Sequence, residues 1–206
     1  MSEVCCHPPL VERNYSRAYR RVLWIVLGVN LSMFMVEMIA GFSARSVSLQ
    51  ADSLDFLGDT ANYGISLFVA GMALRRRAMA AIGKGLTMGL FGIWVLASSV
   101  WKVFGGTPPE SVTMGVVGFT ALAANALCLA LLSSHRSGDS NMRSVWLCSR
   151  NDLIGNCAVV AAAIGVAGTA AVWPDVLVAA IMAVLALQGA AAIVKQARAE
   201  IAGATA

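Results

Sequence analysis

The chain has 206 residues, of which 58% are hydrophobic and only 13% charged, and its mean hydropathy is +0.73. That balance lies far from a soluble domain of this size and marks an integral membrane protein. The formal net charge of +4 is no nucleic-acid signature, because the basic residues are spread over short loops without an aromatic-interleaved patch.

Residues 1–21 read as a cytoplasmic leader. Cys5, Cys6 and His7 are ligand-type residues, but their spacing cannot close a metal site, so weak metal capture is the minor reading beside a flexible leader. The leader lacks the apolar core and cleavage site of a secretory signal. Cys128, Cys148 and Cys157 fall in apolar stretches, so no disulfide framework is indicated.

With about 20 apolar residues per span, six transmembrane helices are predicted near 22–42, 47–74, 80–104, 112–133, 143–170 and 174–195. They form one domain over 22–198, followed by a short tail over 199–206. The expected fold is all-α, an integral membrane bundle of six transmembrane helices with both termini cytoplasmic. The orientation rests on the basic residues. Arg13, Arg17, Arg20, Arg21, Arg75, Arg76, Arg77, Lys84, Arg136, Arg143, Lys195 and Arg198 share one side, while Arg45 and Lys102 lie on the other.

In the first helix Asn30 and Glu37 are seven residues apart and share a face. A buried Glu needs a partner or water, and Glu37 is a candidate for the non-cytoplasmic mouth of a cation pathway. The second helix carries Asp52, Asp55, Asp59 and Asn62 at spacings of three, four and three, a polar stripe in an apolar setting. A carboxylate at mid-membrane costs roughly 2.5 to 3.5 kcal/mol on insertion scales, so the stripe faces an ion, water or a partner. For Asp52, close to the helix start, a cap at the membrane surface is the competing reading.

In the third helix Gly105-Gly106-Thr107-Pro108-Pro109 gives a clear stop. In the fourth, Asn125 reads, like Asn30, as an interhelical hydrogen-bonding group. The fifth repeats the polar theme with Cys148, Asn151, Asp152 and Asn156. Cys148 and Asp152 are one helical turn apart, as are Asp55 and Asp59, so the two pairs can close four ligands around one divalent cation. A thiolate among carboxylates favours zinc-like ions over Mg²⁺ or Ca²⁺. Trp173-Pro174-Asp175 opens the sixth helix, and the small residues of the last two helices, such as Ala161-Ala162-Ala163 and Gly189-Ala190-Ala191-Ala192, read as close-packing surfaces.

The run Ala51-Asp52-Ser53-Leu54-Asp55-Phe56-Leu57-Gly58-Asp59, with Val36-Glu37-Met38-Ile39-Ala40-Gly41 upstream, resembles the second-helix signature of the cation diffusion facilitator family of metal transporters. Cys148-Ser149-Arg150-Asn151-Asp152-Leu153-Ile154-Gly155-Asn156 resembles its fifth-helix partner motif. The resemblance covers all six helices. It implies a transporter, not an enzyme, that exports Zn²⁺, Cd²⁺ or Co²⁺ from the cytoplasm against inward proton flow, by alternating access. Its implied partners are divalent metal ions, protons, the lipid bilayer and a second copy in a homodimer, with no nucleic acid and no cofactor besides the transported cation. A multi-pass location follows, in the inner membrane for a bacterium.

By the resemblance the metal ligands are Asp55, Asp59, Cys148 and Asp152. Asp52, Glu37, Asn30, Asn62, Asn125, Asn151 and Asn156 are candidates for the pathway or for supporting the ligands. Three departures stand out: Cys148 replaces the common His or Asp, Ile82-Gly83-Lys84-Gly85-Leu86 keeps only the Gly and the base of the third-helix pattern, and the family's cytoplasmic domain has no counterpart before Ala206. A proton-coupled transporter or channel for another solute, with the acids as proton relays, is the alternative. An intramembrane aspartyl protease using Asp59 and Asp152 is a poor fit, since Phe56-Leu57-Gly58-Asp59 lacks the first glycine of the Gly-x-Gly-Asp motif.

Overall fold

The computed structural model describes residues 17–68, 74–133 and 140–203, with the side chains of Tyr19, Ser66, Leu74, Arg77 and 140–151 outside the described set. Six helices follow one another: α1 (Arg17–Ser43), α2 (Val47–Phe68), α3 (Leu74–Gly105), α4 (Ser111–Ser133), α5 (Ser140–Thr169) and α6 (Trp173–Gly203). No strand occurs among the described residues. Several helices outrun their predicted bounds because hydropathy marks the lipid-facing stretch, whereas the helix runs on into charged ends. Thus α3 begins at Leu74, where the second helix was expected to end, and α6 runs to Gly203.

Five helices are long and apolar enough to cross a membrane on their own, and α2 is the exception. Its 22 residues span about 33 Å at 1.5 Å per residue, enough for the hydrocarbon core. What fails is hydropathy, because its polar stripe occupies a whole face. The bundle compensates by enclosing α2, which packs against α1, α3, α5 and α6. Outward-facing bulky residues such as Leu90, Trp101, Phe104 and Phe119 suit a lipid environment, since a soluble surface rarely carries so much exposed apolar area.

The tightest helix pairs are α1 with α2, α3 with α6, and α4 with α5. Small residues make the α3–α6 contact close: a Cβ on Gly85 would stand 2.7 Å from Val194 Cγ2 and 3.2 Å from the Ala190 carbonyl oxygen. One continuous apolar cluster joins the start of α2 (Val47, Leu49, Leu54) to Val95, Met114, Val166 and Ala183. At the other end the described core divides in two, one cluster around Leu23, Val26, Tyr63 and Leu132 and one around Ala78, Ala81, Ile193 and Ala197.

At the end where α2 begins, Asp175 of α6 is fully buried. It accepts hydrogen bonds from Ser46 Oγ at 2.7 Å, the Val47 and Ser48 amides at 3.0 Å each, and Lys102 Nζ at 2.8 Å. A carboxylate from the last helix therefore caps the second, satisfying amides that a helix start leaves open. Lys102 also donates to the Arg45 carbonyl, so one of the two positive charges expected on the non-cytoplasmic side is held in an internal ion pair. Arg45 itself takes a left-handed φ of 54° as the chain leaves α1.

Candidate metal centre

Helical spacing places Asp52, Asp55, Asp59 and Asn62 along one face of α2, as the sequence predicts. Asp59 is nearly enclosed at 7% exposure and accepts a hydrogen bond from Tyr63 Oη at 2.9 Å, one turn further on. The side chain of Asp152, on α5, comes within hydrogen-bonding reach of Asp59. Asp55 also looks toward α5, since a Cβ on Gly155 would lie 3.7 Å from its Oδ2. Gly155 is three residues after Asp152 and so shares its face.

Three of the four expected ligands, Asp55, Asp59 and Asp152, thus lie along one α2–α5 seam. The fourth, Cys148, is in α5 with its side chain outside the described residues, as is that of Asn151. Among the described residues no three His, Cys, Asp or Glu side chains converge into one metal-holding group. Cys5, Cys6 and His7 also lie outside the described residues.

Lys84, read from sequence as a loop charge, sits inside α3, donates to Asn62 Oδ1 and exerts its charge on Asp59. A cation beside a carboxylate cluster offsets part of the mutual repulsion of the acids before any metal arrives. Asn156 donates to the Asp152 carbonyl at 2.9 Å, which braces the turn carrying that ligand. Asn30 donates to the Val26 carbonyl at 2.8 Å and reaches Cys128 Sγ of α4 at 3.7 Å, so it joins helices as expected. Asn125 is buried in α4.

Two residues stand differently from the sequence reading. Asp52 caps nothing, because α2 starts five residues earlier and Asp175 does the capping. Glu37 opens on no surface. Both are fully buried, and their carboxyls meet each other between α1 and α2.

Relatives of known kind share this sequence plan. The chain is 26% identical over 174 residues to the metal cation efflux system protein CzcD of Cupriavidus metallidurans, covering 79% of this chain and 55% of that protein. It is 25% identical to the zinc transporter ZitB of Escherichia coli, covering 85% and 60%. A cadmium, cobalt and zinc/H(+)-K(+) antiporter of Bacillus velezensis is 23% identical, with 82% and 58% covered. The chain thus matches a little over half the length of these proteins. The model of the cation efflux transmembrane domain matches residues 23–202, from the first turns of α1 almost to the end of α6. With acidic α2 and α5 motifs in an apolar bundle, that match places this multi-pass membrane protein in the cation efflux family, the cation diffusion facilitators.

Proposed function

We propose that the protein exports divalent metal ions, with Zn²⁺, Cd²⁺ and Co²⁺ as the candidate cargo, through a site formed by Asp55, Asp59, Cys148 and Asp152 and in exchange for protons. The observation that carries the reading is the approach of Asp59 and Asp152 across the α2–α5 seam. Carboxylates meeting from two helices form a place where a cation relieves repulsion and a proton competes with it. The names of the relatives, which include a zinc transporter and a metal/H(+)-K(+) antiporter, agree with this cargo.

Alternating access requires that the site open to one side at a time. The site is proposed to be entered from the side of the N-terminus. Basic residues at that end, Arg17, Arg20 and Arg21 among them, support its being cytoplasmic. All six helices then span the membrane, α2 included.

Uptake into proteoliposomes, with Zn²⁺, Cd²⁺, Co²⁺, Fe²⁺ and Mn²⁺ compared under an imposed pH gradient, tests the proposal. Flux of at least one ion should depend on the gradient and vanish in Asp59→Ala and Asp152→Ala, both still inserted in the membrane. Near-normal flux in either variant would exclude this site.

A further inference from the structure

The contact between Glu37 and Asp52 is chemically incomplete as two carboxylates. Both side chains are 0% exposed, they approach each other to hydrogen-bonding range, and none of their four oxygens meets a donor among the described residues. Nearby donors are engaged elsewhere. Ser53 Oγ bonds the Gln50 carbonyl at 2.7 Å, and the Gln50 amide turns to the Gly41 carbonyl at 3.4 Å.

Among the described residues the charged groups around the pair offer no counter-charge. Asp55, a turn further along α2, adds negative charge at Glu37. On α3, Lys84 is directed to Asn62 and Asp59, and Lys102 is spent on Asp175 of α6 at the outer end of α2. Asp152 of α5 meets Asp59, and α4 contains no charged residue. Two carboxylates in contact within a low-dielectric interior cannot both be ionised.

We infer that Glu37 and Asp52 together form a proton-binding site separate from the metal ligands, holding one proton between the two carboxyls when no metal is bound. The consequence for coupling rests on the transport reading above. A dication arriving at Asp55 and its partners places two positive charges beside a pair that has been holding one. The O–H bond breaks, its electron pair stays on the carboxylate, and the proton passes to the water from which the metal came. Two positive charges enter the bundle and one leaves from this pair, in addition to any proton displaced from the ligands. When the metal departs on the far side, the dianionic pair takes a proton from there.

The test uses the whole protein in detergent or nanodiscs. Infrared spectroscopy of the metal-free parent at neutral pH should show a protonated-carboxyl C=O band that is lost on saturation with Zn²⁺ and is weaker by one carboxyl in Glu37→Gln and in Asp52→Asn, where only the Asp59–Asp152 contribution remains. Each variant keeps an amide N–H to donate to the remaining carboxylate. Calorimetry of Zn²⁺ binding in buffers of differing ionisation enthalpy should count about one proton fewer per metal in either variant than in the parent.

A parent without the band, a band that K⁺ alone abolishes, or an unchanged proton count in the variants would overturn the inference. Should a variant not fold, ¹³C-labelled glutamate in the parent decides. Among the described residues Glu37 is the buried glutamate, so its share in the proton shifts the band, and a band unmoved by the label refutes it. If the parent binds no Zn²⁺ the transport reading fails instead, while the infrared band still tests the pair.

Discussion

Asp175→Ala is expected to be among the most destabilising single substitutions in this protein. The wild-type carboxylate accepts from Lys102, Ser46 and two backbone amides. Lys102, with a side chain only 9% exposed, would be left with the Arg45 carbonyl. Removing one partner of a buried ion pair costs about 3–5 kcal/mol, and a lost helix cap alone about 1 kcal/mol. These overlap, because both describe the same desolvated donors, so a total of about 3–5 kcal/mol is expected.

Lys102→Met should cost less, because the carboxylate keeps three neutral donors. Asp175→Asn with Lys102→Met should cost less than Asp175→Ala, since no buried charge then lacks a counter-charge. Reversible unfolding in mixed detergent micelles, followed by circular dichroism as the denaturing detergent is raised, gives all three values. A loss below about 1 kcal/mol for Asp175→Ala, the scale of a surface ion pair, would refute the reasoning, as would a double variant that costs as much as Asp175→Ala.

Other predictions follow from single features. Cys148→Asp should shift transport preference from Cd²⁺ toward Mn²⁺ by making the donors all oxygen, and Cys148→Ala should weaken every ion, both read in the parallel-ion liposome assay. Gly85→Ala should destabilise by about 1–3 kcal/mol, because its new Cβ meets the Ala190 carbonyl as well as Val194. Gly83→Ala, with open space around it, should instead stabilise by up to about 1 kcal/mol in the same unfolding assay. Glu110 lies just before α4, where hydrogen bonding to Thr113 lowers its pKa below the ordinary 4.5. Its folded value is depressed, so its stabilising contribution is present above the unfolded value and disappears as pH falls through the folded one. Glu110→Gln should therefore melt below the parent at neutral pH and equal it in acid.

Helix number and the acidic face of α2 were legible in the sequence because both are periodic and local. Apolar runs broken by Gly-Gly-Thr-Pro-Pro and Trp-Pro-Asp give the elements, and spacings of three and four place Asp52, Asp55 and Asp59 on one stripe. Partnerships were not legible. Asp175 carries the ordinary local signature of an acid in a first turn, which suggests a cap for its own helix. That it caps α2 instead depends on α6 and α2 starting side by side at one end of the bundle. Lys84 and Lys102 count as surface charges in any tally of loop residues, yet each turns inward to a polar group on another helix. Glu37 and Asp52 were each visible as a buried acid in need of a partner, and only the packing of α1 on α2 makes each the other's answer.

The capping of α2 by α6 also constrains the order of events at the ribosome. Asp175 follows Val47 by 128 residues, so at about 5–20 residues per second it emerges roughly 6 to 25 s later. Until then α2, the described helix without an apolar spanning stretch, has the Val47 and Ser48 amides unclosed. A chain truncated after α4 is therefore expected to hold α2 in the membrane less firmly than the whole chain, which the protease accessibility of the two would check.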